Sequence, residues 1–129
     1  MRFSSMLCLK KLCLDEVAIM ELRKAWCRET AHPSYQYKWS EDNPSCGQCC
    51  VTALVVQDQY GGDIYSCKVG NHSHFVNIIN ERIIDKTAEQ FGGTNNIKYI
   101  SGSFRKRSRT SLLKNKDVKQ RYELLKARL

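Results

Sequence analysis

The segment Asn43-Pro44-Ser45-Cys46-Gly47-Gln48-Cys49-Cys50 holds the residues best suited to do chemistry in this chain. A thiol becomes a working nucleophile when its pKa falls toward neutrality, a base stands within hydrogen-bond reach, and a third group orients that base. Cys49 follows a proline- and glycine-containing turn and opens a stretch expected to be helical. The amide dipoles at a helix start favour a thiolate. His74 and then Asp85 follow, each in a stretch that reads as a strand. Adjacent antiparallel strands bring facing side chains to about 5 Å, close enough for a carboxylate to hold an imidazole. Gln48, next to the thiol, offers a side-chain amide donor for an oxyanion.

Other assignments compete for the same residues. Cys46, Cys49, His72 and His74 form a candidate Cys₂His₂ zinc set, and a His-x-His pair on a strand points both rings to one face. The paired-knuckle spacing of structural zinc sites is absent, so no metal and no other cofactor is expected. His72 shares the strand face of His74 and is the rival base. Cys50 falls on a different helix face from Cys49. Asn77 falls on the opposite strand face from His74. Trp39 either walls a cleft or covers the core.

Composition sets the frame for these residues. A chain of 129 residues with 42% hydrophobic content fits one globular domain with a modest core. No stretch reaches the roughly 18 uncharged apolar residues of a membrane span. Lys10 and Lys11 interrupt the apolar start of the chain before a signal-peptide core can form, so that start reads as mature protein. Seven cysteines, an odd number without an export signal, point to reduced thiols in a cytoplasmic protein. Cys8, Cys13 and Cys27 sit among apolar neighbours and read as small hydrophobes. The net charge of +8 lies entirely from Arg105 onward, where ten basic residues face two acidic ones; the rest of the chain is balanced. The Arg105–Arg109 run lacks interleaved aromatics, so it reads as a solvated basic helix face, or a patch for an acidic protein partner, rather than a nucleic-acid site.

The elements that must position the thiol site follow from periodicity. A helix is expected from Leu12 to Arg28, closed by His32-Pro33. A long polar and aromatic loop then runs from Thr30 to Cys46. Cys49 to Tyr60 is expected to be a buried helix ended by Gly61-Gly62, despite its β-branched content. Alternation predicts strands over Asp63–Val69, His72–Ile79 and Arg82–Asp85, with turns at Gly70-Asn71 and Asn80-Glu81. Ile97–Ile100 reads as a short strand and Asp117–Arg128 as an amphipathic helix. The fold class is α+β: one domain over residues 1–129, with an N-terminal helical segment (1–30), a helix carrying Cys49 against a small antiparallel sheet, and a basic C-terminal helical segment (105–129).

A resemblance accompanies these readings. The run Gly47-Gln48-Cys49-Cys50-Val51-Thr52-Ala53-Leu54-Val55-Val56-Gln57-Asp58 with Gly61-Gly62-Asp63-Ile64 resembles the YunG-like family of small bacterial proteins. Ala25-Trp26-Cys27-Arg28-Glu29-Thr30, Ser73-His74-Phe75, Asp85-Lys86-Thr87, Gln90-Phe91 and Arg121-Tyr122-Glu123-Leu124-Leu125 extend the likeness across about Leu22 to Leu129. The resemblance implies a fold and a site more than a reaction. Its Cys–His–Asp order is similar to that of papain-like and transglutaminase-like thiol enzymes, which implies such a core with Cys49, His74 and Asp85 as the triad. Cys27 and Cys50 stand where relatives are expected to carry serine and alanine. The expected function is a thiol-dependent amide or acyl hydrolase, deamidase or acyltransferase. The rival class is a non-catalytic interaction module that binds through its basic C-terminal segment.

Overall fold

A twelve-residue helix, buried along most of its length, organises the protein. In the computed structural model, which describes residues 20–92 and 97–129, this helix, α2, spans Cys49–Tyr60. Cys50 through Val56 are all buried, so the helix is covered on every side, as expected of one apolar all round. That burial overrides the weak helix propensity of Val51, Val55 and Val56. Gly61, at φ +72°, ends the helix and donates its N–H to Gln57 O at 2.9 Å.

The sheet is four-stranded and antiparallel, in the order β3-β2-β1-β4. Strand β1 (Asp63–Val69) pairs with β2 (His72–Ile79), placing Cys67 opposite His74 and Ile64 opposite Asn77. Asn80 and Glu81, both at positive φ, form the two-residue turn into β3 (Arg82–Ile84). Strand β3 pairs only with Asn77–Ile79, so among the described residues the first half of β2 has no strand beside it on that side. Phe75 packs on the core and Asn77 donates Nδ2–H to Ala53 O at 2.9 Å, so the odd-numbered residues of β2 face α2. By alternation His74 leaves the opposite face.

One basic-segment expectation changes. Arg105–Arg107 form strand β4, paired with Ser66, Tyr65 and Ile64 of β1, instead of a helix face. The chain then turns helical in α3 (Arg109–Leu113) and α4 (Lys116–Arg128). Helix α4 contributes Tyr122 and Leu125 to the core with Leu54, Val51 and Trp26. Ile97–Ile100 contributes only a single bridge, Tyr99 to Val69.

At the N-terminal side, helix α1 is described over residues 20–25. The expected turns from Leu12 to position 19, together with Cys8, Cys13 and the leader-like start, lie outside the described residues. Helix α1 ends before the expected Arg28. Thr30 Oγ1 accepts from Cys27 N at 3.0 Å and donates to Cys27 O at 2.9 Å, a local pairing that competes with helical bonding and folds Arg28–Thr30 into a 3₁₀ turn. Trp26 is buried and donates Nε1–H to Thr52 Oγ1 at 2.9 Å, which fixes α1 to α2. No described helix is long and apolar enough to cross a membrane.

Candidate active site

Cys49 is the first residue of α2, and the turn before it is held from several sides. Gly47 has φ +73°, and a Cβ there would lie 3.0 Å from Tyr35 Cβ and 3.2 Å from Ala31 Cβ. Only glycine fits that close approach without strain. The Gly47 carbonyl accepts from His32 N at 2.8 Å, and its N–H donates to Gln90 Oε1 at 3.4 Å. Gln48 is fully buried and donates Nε2–H to Cys27 O at 2.9 Å, leaving Oε1 without a partner. Engaged in that way, Gln48 makes no side-chain cap on α2. The first amides of the helix, which have no intrahelical acceptor, thus keep their positive character beside the Cys49 thiol.

His74, on β2, and Asp85, just past the end of β3, meet. His74 Nε2 and Asp85 Oδ2 are 2.7 Å apart, with side chains 1% and 2% exposed. The Phe91 ring stands edge-on to the imidazole, with centroids 4.9 Å apart. Asp85 is saturated: Oδ2 also accepts from Tyr99 OH at 2.7 Å, and Oδ1 accepts from Thr87 N and Thr87 Oγ1, each at 3.2 Å. Asp85 therefore serves both as the carboxylate facing His74 and as the turn cap before Thr87. His74 Nδ1 has no hydrogen-bond partner that meets ordinary geometry. Burial alone would pull the imidazole pKa down. The hydrogen bond to Asp85, the hydrogen-bonding influence and charge of Cys49, and the Asp85 charge outweigh it and raise the pKa from 6.5 to about 9. The ring thus carries a carboxylate on Nε2 and also feels the Cys49 thiol.

The remaining cysteines differ in kind. Burial pushes the Cys50 thiol up to about 12 and the Cys67 thiol to about 11, and it raises Cys46 as well. At neutral pH these three are thiols. Cys49 is half-buried and opens onto a groove of about 540 Å³, walled by Tyr35, Lys38, His72, Phe75 and Phe91. His72 is exposed and pairs with no carboxylate among the described residues, in contrast to His74. Trp39 lines a different groove with Trp26, Arg28 and Arg128, and donates Nε1–H to Pro44 O at 2.9 Å. Among the described residues no three His, Cys, Asp or Glu side chains are grouped to hold a metal ion, although Cys46, Cys49 and His72 line the same groove.

Four contributors were not named as site residues from sequence: Tyr99, and also Thr87, Gln90 and Phe91, which appeared only within the motifs that carry the family resemblance. Gln90 links the two halves of the site, donating Nε2–H to Thr87 Oγ1 at 3.1 Å while its Oε1 accepts from Gly47 N. Only Thr87 carried a local signal, since a threonine two positions after an aspartate suits a side-chain turn. Tyr99 reaches Asp85 through a bridge between segments distant in sequence, which no local pattern announces.

Comparison with known proteins agrees with the residue pattern. The chain is 43% identical over 82 residues to a Bacillus subtilis (strain 168) protein described as "Uncharacterized protein YunG", covering 64% of this chain and 67% of that one. No solved structure matches. The family model described as YunG protein matches residues 16–129, a span that includes Cys49, His74, Asp85 and every residue that supports them. With most of its length inside that match, the chain belongs to the YunG family.

Proposed function

We propose that the protein is a thiol-dependent acyl-transfer enzyme acting on an amide, with Cys49 as nucleophile, His74 as base and acid, and Asp85 as the group that fixes the imidazole. The observation that carries this reading is the buried His74–Asp85 pair at 2.7 Å, whose other ring nitrogen has no hydrogen-bond partner among the described residues while Cys49 acts on the ring. The Cys49 thiolate attacks the amide carbonyl carbon, forming the S–C bond and placing negative charge on the oxygen. First-turn N–H groups of α2 face that charge, and Gln48 can add the amide hydrogen that Cys27 O leaves free. The C–N bond then breaks, and the amine takes the proton from His74 Nδ1. The resulting thioester is resolved by water, or by another amine, whose proton passes to Nδ1 as the C–S bond breaks. Asp85 stays ionised throughout and holds Nε2. A papain-like or transglutaminase-like core is the architecture this reading expects. Hydrolysis, deamidation and amine transfer differ only in what resolves the thioester.

Site-resolved alkylation tests it. At neutral pH, iodoacetamide should modify Cys49 roughly tenfold faster or more than the cysteines of the urea-unfolded chain. In a folded His74→Ala protein that advantage should vanish. Uniform slow modification of several cysteines, or an unchanged Cys49 rate in His74→Ala, would refute the enzyme and favour a non-catalytic module.

A further inference from the structure

The groove at Cys49 carries one sign of charge, and its surroundings extend that charge in a track. No aspartate or glutamate lines it among the described residues. Lys38 stands on one wall, its ammonium 5.6 Å from the Tyr35 ring centre and 5.8 Å from that of Tyr37. On the other wall Phe75 is covered by the Arg107 guanidinium at 5.4 Å, and Ser73 accepts from Lys68 Nζ at 2.9 Å. Aromatic faces attract a cation without neutralising it. Neither Lys38 nor Arg107 has a carboxylate partner among the described ion pairs. Beyond Arg107 the exposed side chain of Arg105, on the same face of β4, continues the track, while Lys106 on the other face pairs with Asp63; among the described residues no strand lies beside the outer edge of β4.

We infer that this groove takes an acidic peptide segment, with anionic side chains on both sides of the amide presented to Cys49. Lys38 would meet one flank and Arg107 the other. The segment would leave past Phe75 along the basic edge strand. The volume of about 540 Å³ suits a few residues of extended chain rather than a folded surface. The charges also reach the groove floor: Lys38 opposes the effect of burial on Cys46, and Arg107, with Arg121, does so on Cys50. This inference rests on Cys49 being the reactive thiol, and the test separates the two claims.

The test compares alkylation of Cys49 by anionic iodoacetate and neutral iodoacetamide. Each forms an S–C bond to Cys49 and expels iodide. Relative to the urea-unfolded chain, the iodoacetate-to-iodoacetamide rate ratio should rise about fivefold at low salt and fall back toward the unfolded value at high salt. Lys38→Glu and Arg107→Glu should each lower the ratio, whereas Lys114→Glu, the same charge change outside the groove, should leave it in place. A glutamate oligomer should protect Cys49 from iodoacetamide better than a thymidylate oligomer of equal charge. Fast iodoacetamide labelling with an unchanged ratio would overturn the acidic-peptide inference and leave the thiol reading standing. Equal or better protection by the thymidylate oligomer would overturn it in the same way. Slow labelling by both reagents would sink the thiol reading and this inference with it.

Discussion

Replacing Asp85 with asparagine removes one negative charge from a site where almost no water reaches. In the native protein the carboxylate lies 2.7 Å from His74 Nε2, and the imidazole pKa stands at about 9 against an ordinary 6.5. That difference corresponds to on the order of 3 kcal/mol of preferential binding of the proton in the folded state. The sign follows from the direction of the shift. A folded-state pKa raised above the unfolded one contributes stability that is fully present below pH 6.5 and is lost as pH rises through about 9. In Asp85→Asn both contributions of the carboxylate are lost while burial still disfavours the charged ring, so the His74 pKa should fall from about 9, with only the influence of Cys49 left to hold it up. Two assays read this. NMR titration of the His74 ring should move its midpoint down from about 9. Urea unfolding between pH 6 and pH 10 should show the native protein losing roughly 3 kcal/mol across that window, a slope the variant lacks. Cys49 alkylation at neutral pH should slow with it, because a neutral imidazole no longer favours the thiolate. A variant whose His74 still titrates near 9 would refute the assignment of Asp85 as the group that holds the charged ring.

Two further substitutions probe the parts that position the site. Gly47→Ala places a Cβ 3.0 Å from Tyr35 Cβ at φ +73°, so it should destabilise the fold by about 1–3 kcal/mol in urea unfolding and slow Cys49 alkylation. Tyr99→Phe deletes the O–H that bonds Asp85 Oδ2 at 2.7 Å, and loss of a hydrogen bond to a charged group should cost about 1.5–3 kcal/mol. The Cys49 pH–rate profile should shift with it, which a purely structural tyrosine would not cause.

The parts of this fold legible in the sequence are those fixed by local pattern. The bounds of α2 followed from Pro44, Gly47 and the Gly61-Gly62 stop, and the hairpins from alternation broken at Gly70-Asn71 and Asn80-Glu81. The basic strand was illegible because Arg105-Lys106-Arg107 carries no apolar alternation; it becomes a strand by pairing with the remaining edge of β1. Helix α1 was overextended because its apolar spacing continues to Trp26, while the Thr30–Cys27 side-chain pairing acts only once the chain has turned. At the site, Cys49, His74 and Asp85 could be named from residue type and order, but Tyr99 and Gln90 could not. Their contacts join segments whose meeting depends on the completed sheet.

The distribution of hydrogen bonds around His74 bears on whether the pair serves stability or chemistry. A buried ion pair is a poor source of stability, because apolar residues of similar volume commonly do as well. Here the carboxylate is saturated by four contacts, yet the imidazole it holds is satisfied on one nitrogen only. An unpartnered buried polar atom costs about 1–3 kcal/mol. That arrangement makes little sense for a core brace, which would satisfy both ring nitrogens. It makes sense if Nδ1 is reserved for a partner whose charge and position change during a reaction. The Cys49 thiol also acts on the ring, and it sits where the helix start favours its anionic form. The cost of leaving Nδ1 without a fixed acceptor is then the cost of keeping a proton mobile between sulfur and imidazole, while Tyr99, Thr87 and Asp85 keep the rest of the site still.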